Sequence, residues 1–156
     1  MSNNKPLRVA AVVGHFPTLS ETFLYTTFQN LLSAGVEVRI QARRRGRSPH
    51  HVALPVTYLP SEDAPFPIKL LVLLAVLGRL VFRSPKQALR LLRHLNSRRQ
   101  QLRWSGRQTL RILHRILPLM ITDADLIYFA HGSLAVTYRE VFGLRPAYLS
   151  LRGSDI

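Results

Sequence analysis

The chain contains no cysteine. That absence removes disulfide frameworks, thiolate zinc sites and cysteine nucleophiles, and it fits a reducing compartment, so a cytoplasmic location is expected. Acidic residues are scarce, 8 against 22 Lys and Arg, and none occurs from Ala64 to Thr122. The formal charge of +14 therefore belongs mainly to one segment, and its distribution says more than its sum. Long apolar runs are also missing. Leu70 to Leu77 is unbroken, yet Lys69 and Arg79 bracket it well short of the ~20 residues a bilayer span needs. Met1 to Pro6 is a polar lead with one lysine, and no small-residue cleavage site closes the apolar run behind it, so it does not read as a signal peptide. Neither the three-glycine dinucleotide fingerprint nor a phosphate loop with its lysine is present, which leaves nicotinamide and P-loop chemistry without support. There is no internal repeat.

What is present is enough for a core. Apolar residues make up 47% of the 156 positions and recur along most of the chain, which suits one folded domain. Leu7 to Val13 is a valine-rich run of strand length between Pro6 and Gly14, the pattern of a strand buried on both faces. Thr18 with Glu21 makes a capping box. Phe23, Leu24, Phe28, Leu31 and Leu32 then mark a helical face that Gly35 ends. Val36 to Ile40 alternates apolar with polar and predicts a second strand, parallel to the first through the helical crossover.

Ala42 to His51 reads as a basic loop, and Val52 to Leu59 as a third strand whose Pro55 suits an edge. Pro67 to Phe82 is apolar around most of its circumference. Ser84 and Pro85 open a second helix to about Leu95, and a third spans Gln108 to Leu117. Ala124 to Ala130 returns to strand character, Leu134 to Phe142 is a helix ended by Gly143, and Ala147 to Leu151 is the last strand. The order is α/β with a helical insert, and it predicts a Rossmann-like parallel sheet with flanking helices.

In such a sheet, ligands bind outside the carboxyl ends of the strands. Three places qualify: Gly14 to Thr22 after the first strand, His131 and Gly132 after the fourth, and Arg152, Gly153, Ser154 and Asp155 after the fifth. Each also has a plainer reading. Gly14 to Thr22 serves equally as a turn and helix cap, His131 as a hydrogen-bonded strand-end histidine, and Arg152 with Asp155 as a surface ion pair worth only ~0–1 kcal/mol.

Phe16-Pro17-Thr18-Leu19-Ser20-Glu21-Thr22-Phe23 with Gly35-Val36-Glu37-Val38, then Ile127-Tyr128-Phe129-Ala130-His131-Gly132, then Leu149 to Ile156, resemble in order the motifs of family-4-type retaining glycosyltransferases, especially those of exopolysaccharide and colanic-acid assembly. The resemblance implies two facing Rossmann-like domains (a GT-B fold), the first binding acceptor and the second a nucleotide-diphosphate sugar. Hexosyl transfer to a glycan or lipid-linked acceptor then occurs in the cleft between them, with retention and with no metal or other cofactor. On that basis Gly14 lets the loop approach the donor phosphate, Ser20, Glu21 and Thr22 line the cleft beside Gly132 and Gly153, and His131 and Asp155 face the acceptor and transferred sugar. Many relatives carry histidine where Arg152 stands; arginine is always charged and only donates, which suits a phosphate or carboxylate contact rather than a base. The resemblance also implies that residues 1–156 are part of the N-terminal domain, with a helical insert at 67–117 and the donor-binding domain absent. The chain alone is then expected to be an inactive fragment.

The basic insert has two readings. One is a helix packed in the core with its arginines solvated. The other is a monotopic patch, apolar residues dipping into a membrane interface while arginines meet anionic headgroups, which places the protein peripherally on the inner face of the cytoplasmic membrane. A nucleic-acid-binding module is the rival on charge, but Trp104 is the only aromatic between Arg83 and Arg115, and single-strand platforms use several. A non-catalytic, partner-binding piece is the remaining alternative.

Overall fold

A computed structural model of the chain describes residues 5–17, 22–46, 54–61 and 63–150. It is an α/β fold, Rossmann-like, with a five-stranded all-parallel sheet flanked by helices. The strands are β1 (Arg8–Phe16), β2 (Glu37–Arg45), β3 (Val56–Tyr58), β4 (Leu126–Phe129) and β5 (Ala147–Leu149), in the spatial order β3-β2-β1-β4-β5. The helices are α1 (Thr22–Ser33), α2 (Phe66–Arg83), α3 (Pro85–Leu102), α4 (Gly106–Ile121) and α5 (Gly132–Thr137), with a 3-10 turn at Arg139–Val141. Two compact units result: one holds residues 1–59, 123–137 and 146–156, the other residues 60–122 and 138–145.

The first unit is built around β1. Val9 to Val13 are all buried, as a doubly covered strand requires. Val9, Ala11 and Val13 share one face with Val38, Ile40, Ala42, Tyr128 and Ala130, and Leu24 and Phe28 of α1 pack into it. Leu32, expected on that face, is exposed. It sits roughly 80° around the helix from Leu24, and Tyr25, stacked at a tilt 5.4 Å from Phe16, takes the flank instead. The capping box expected at Thr18 and Glu21 lies outside the described residues. Gly35 does end α1: its φ is +77°, its N–H donates to the Leu32 carbonyl, and that of Val36 donates to Leu31. Those two bonds form a Schellman motif that satisfies the orphan carbonyls.

Two strand boundaries differ from expectation. The basic stretch after Ile40 is not loop from Ala42 onward; β2 continues to Arg45 because β1 continues beside it, His15 pairing with Arg44 and Phe16 with Arg45. The ladder outweighs a composition that reads as solvent-facing. β3 is confined to Val56–Tyr58 at the sheet edge, with Pro55 just before it accepting from Ile40 through its carbonyl. Pro55 donates nothing, so an edge is where it fits.

The amino edge of the sheet is locked by charge. Arg8 pairs with Asp123, its Nη2 lies 3.0 Å from Asp125 Oδ1, and its backbone N–H donates to Asp125 Oδ2 at 3.0 Å. The Arg8 side-chain hydrogen bond, with the Arg8 backbone N–H, holds the Asp125 carboxyl down at about 2.

The second unit is helical and contains the whole of residues 67–117. α3 passes the expected stop near Leu95 and ends where Arg103 turns left-handed at φ 51°. Its last turns lack apolar periodicity, but arginine, glutamine and leucine sustain a helix. α4 starts earlier than expected because Ser105 and Gln108 form a reciprocal capping box, at 3.2 and 2.8 Å. It also runs through Pro118 to Ile121, with Leu119 and Met120 buried. Arg145 Nη1 donates to the carbonyls of Leu119 and Thr122, both at 2.8 Å, closing that end. The helix expected over Leu134 to Phe142 is broken at Tyr138 into α5 and the 3-10 turn.

That break carries Glu140 into the helical core, where His94 and Arg98 meet its Oε2 at 2.9 and 3.0 Å. Burial pushes the Glu140 carboxyl up, but Arg98 and His94 together outweigh it and leave it below the usual carboxylate value. Gly143 is tied to this cluster, since a Cβ there would stand 2.8 Å from the His94 ring.

Two outcomes are expected. Phe28→Ala lowers unfolding free energy by about 3–5 kcal/mol in urea titration, because Phe28 is fully buried. Asp125 has a depressed folded pKa, so its contribution is complete above the unfolded carboxylate value of about 3.9 and is lost as pH falls toward about 2. Asp125→Asn should flatten the acid side of the stability profile in that window only; an unchanged slope would show the clasp to be idle.

Candidate functional site

A parallel sheet delivers every strand's carboxyl end to the same edge, and a doubly wound order opens a crevice where the direction of winding reverses. Here the reversal falls between β1 and β4. The last paired residues of these neighbours are Val12 and Phe129, and the Ala130 N–H still donates to the Val12 carbonyl at 3.2 Å. Gly14 and His131 each follow two residues beyond that pair, one on each side of the switch point. Residues 117 positions apart in sequence are thereby brought to a single notch.

His131 is half-buried, and its ring stands edge-on to Phe23 of α1, centroids 6.0 Å apart at 86°. The aromatic contact fixes the imidazole against the helix that follows β1. The His131 carbonyl accepts from the N–H groups of Leu134 and Ala135, both at 3.2 Å, so the backbone is held by α5 while the ring is held by α1. Gly132 opens α5 directly after it.

Gly14 lies within β1 and is half-buried, and a Cβ added there would meet nothing within 4 Å among the described residues. Neither backbone strain nor packing among those residues calls for glycine at this position. What it supplies is open space beside the strand end, available to a group from outside. β1 then runs on past β4 with β2 alone, carrying exposed His15 beside exposed Arg44 and Arg45. The Phe16 carbonyl accepts from the Gly46 N–H at 3.0 Å and the Tyr58 hydroxyl at 3.3 Å, tying this extension to β3. The Phe16–Pro17 bond that follows is cis.

Of the residues singled out from sequence, Gly14, His131 and Gly132 come together at this notch. Thr22 is the first residue of α1, and its backbone alone is described. Ser20, Glu21, Arg152, Gly153 and Asp155 lie outside the described residues. β5 points its carboxyl end to the same edge, with Leu149 beside Phe129 and the Ser150 N–H donating to the Phe129 carbonyl at 3.1 Å. Sequence reasoning missed Arg44 and Arg45 as rim residues because their composition matched a loop; only the equal nine-residue lengths of β1 and β2 reveal their place. Among the described residues, no group of three or more His, Asp or Glu side chains is placed to hold a metal ion.

The notch thus offers an imidazole, backbone groups beside a space-making glycine, and flanking cations. Such a set can hydrogen-bond a hydroxyl and receive an anionic group. No family model, curated protein or solved structure matches the chain.

Gly14→Ala is expected to leave unfolding free energy within about 0.5 kcal/mol of the parent, since no atom of the described residues is displaced. Phe23→Ala, which removes the half-buried ring under His131, should cost about 2 kcal/mol and shift the His131 ring protons in NMR spectra. A large loss of stability in Gly14→Ala would mean that the space belongs to the fold and not to a ligand.

Proposed function

We propose that the chain provides the acceptor-side rim of a retaining glycosyltransferase, which moves a hexosyl group from a nucleotide-diphosphate sugar to a glycan or lipid-linked acceptor in cell-surface polysaccharide assembly. The observation that carries this reading is the meeting of Gly14 and His131 at the switch point of a β3-β2-β1-β4-β5 parallel sheet. His131 lies in one motif of the resemblance and Gly14 stands two residues before another, and the strand-end rule selects the same two on grounds that owe nothing to it.

In this reading the open space at Gly14 lets the donor's phosphate approach the backbone, and His131 hydrogen-bonds and orients the acceptor hydroxyl. The anomeric carbon–oxygen bond to the diphosphate breaks, the acceptor oxygen takes its place on the same face of the sugar, and the hydroxyl proton leaves with the nucleoside diphosphate. The resemblance adds Ser20, Glu21, Thr22, Gly132, Gly153 and Asp155 to the residues that serve the cleft, and it suits Arg152 to a phosphate or carboxylate contact. Transfer also needs a facing donor-binding wall, because positioning and the exclusion of water both require a closed cleft.

Titration of the ¹⁵N-labelled chain with uridine and guanosine diphosphate sugars and with oligosaccharide acceptors tests the site. Amide shifts are expected at Gly14, His131 and Gly132, and shifts confined to other edges would overturn the assignment. When the chain is joined to a donor-binding domain, His131→Ala should lower turnover by about 100-fold or more while leaving thermal unfolding nearly unchanged. Equal turnover in the variant and the parent would remove His131 from the mechanism.

A further inference from the structure

α2 is apolar along most of its length, yet only Leu73 and Leu80 are buried. Leu71 is 71% exposed, Leu74 58% and Phe82 93%. With Gly78 these residues recur at i, i+3, i+7 and i+11 and so form one outward stripe. Of the two readings of this segment, the helix packed in the core does not hold for this face. At 18 residues α2 is not apolar enough to cross a membrane, and no described helix is.

Beside the stripe, α2 and α4 enclose a cleft of about 240 Å³. Leu73 and His114 are its buried lining residues, and Phe66, Leu70 and Leu110 are more exposed. Leu70 and Leu74 are one helical turn apart, so the stripe adjoins the cleft without a polar break. Lys69, Arg107 and Arg111 line the same cleft, with Arg107 and Arg111 exposed on successive turns of α4. No carboxylate occurs from residue 64 to residue 122. The cleft thus combines apolar walls from Phe66, Leu70, Leu73 and Leu110 with one buried histidine, His114, and with cations of one sign, and it complements a molecule with an apolar chain and an anionic head.

We propose that the α2–α4 cleft binds an anionic phospholipid of a bilayer. One acyl chain enters between Phe66, Leu70, Leu73 and Leu110, Arg107, Arg111 and Lys69 hold the phosphate, and the Leu71–Leu74–Phe82 stripe lies in the membrane interface. Each buried methylene and each cation near an anionic surface favours this arrangement, and together they give the two signals that stable peripheral binding requires. A second protein chain matches less well, since it would need an apolar surface interleaved with acids and free of bases. The proposal does not rest on glycosyl transfer, and its test uses no sugar nucleotide.

Flotation with vesicles of phosphatidylcholine alone, or with about a third phosphatidylglycerol, reads the outcome at near-physiological salt. Binding is expected to the anionic vesicles only, with no competition from millimolar inorganic phosphate. Arg107→Gln with Arg111→Gln should weaken it roughly 20- to 30-fold, two headgroup contacts being lost. Leu110→Trp, which fills the cleft from a partly exposed position, and Phe82→Asp, at a fully exposed one, should each weaken it about tenfold or more without changing thermal unfolding. Equal binding to both vesicle types, full competition by phosphate, or RNA binding without vesicle binding would overturn the proposal. Loss of binding in the arginine variants alone, with Leu110→Trp unaffected, would overturn the cleft in favour of plain surface charge.

Discussion

The pairing of β1 on both sides is the constraint from which the rest of the first unit follows. A parallel strand cannot reach its neighbour through a tight hairpin, so each partner of β1 must arrive by a crossover. β2 arrives over α1 and β4 only after the long stretch from Tyr58 to Leu126, on the opposite side. Because the two crossovers lead in opposite directions from one strand, a notch opens at the carboxyl end of β1. Burial of β1 on both faces leaves no freedom in its register. A slip of one residue would exchange Val9, Ala11 and Val13 for Ala10 and Val12 on the α1 side and move Gly14 away from His131.

The two edges of this sheet divide their labour. At the amino edge, Arg8 is clasped by Asp123 and Asp125, its backbone N–H donates to the Asp125 carboxylate and its carbonyl accepts from the Asp125 N–H, so the ends of β1 and β4 are pinned together. At the carboxyl edge the ladder between β1 and β4 stops at Val12 and Phe129, while β1 and β2 continue to Phe16 and Arg45. The pinned edge holds the strands at a set spacing, which leaves the open edge free to carry side chains chosen for something other than stability.

The periodic parts of the fold were legible in the sequence. The double-sided burial of Val9 to Val13, the α1 face through Leu24 and Phe28, and the Gly35 stop all rest on local rules that tertiary context did not override. Several of the failures share a cause, which is that a distant partner decided the outcome. Arg43 to Arg45 became strand because β1 was there to pair with them, and α4 passed Pro118 because Leu119 and Met120 had a core to enter. Tyr138 interrupted its helix where Glu140 had to reach His94 and Arg98. For the site, Gly14 and His131 could be named from sequence but their neighbourhood could not, since strand order is not written in any local pattern.

Charge is distributed by the same logic. Among the described acids, Asp123 and Asp125 are engaged by Arg8, Glu37 by Arg39, and Glu140 by His94, Arg98 and Arg139. Each of these carboxylates does local structural work, and Glu140, which serves the helical unit, comes from beyond α4 in sequence. The cations of α2 and α4 lie in a stretch, residues 64 to 122, that contributes no carboxylate of its own. Mutual repulsion among them opposes the fold, and counterions screen it only over a Debye length of about 8 Å. Repulsion of that kind is relieved by an external anion. The apolar side chains beside Lys69, Arg107 and Arg111 restrict which anions suffice, because a fully hydrated one satisfies the charges and leaves Phe66, Leu70 and Leu110 in water.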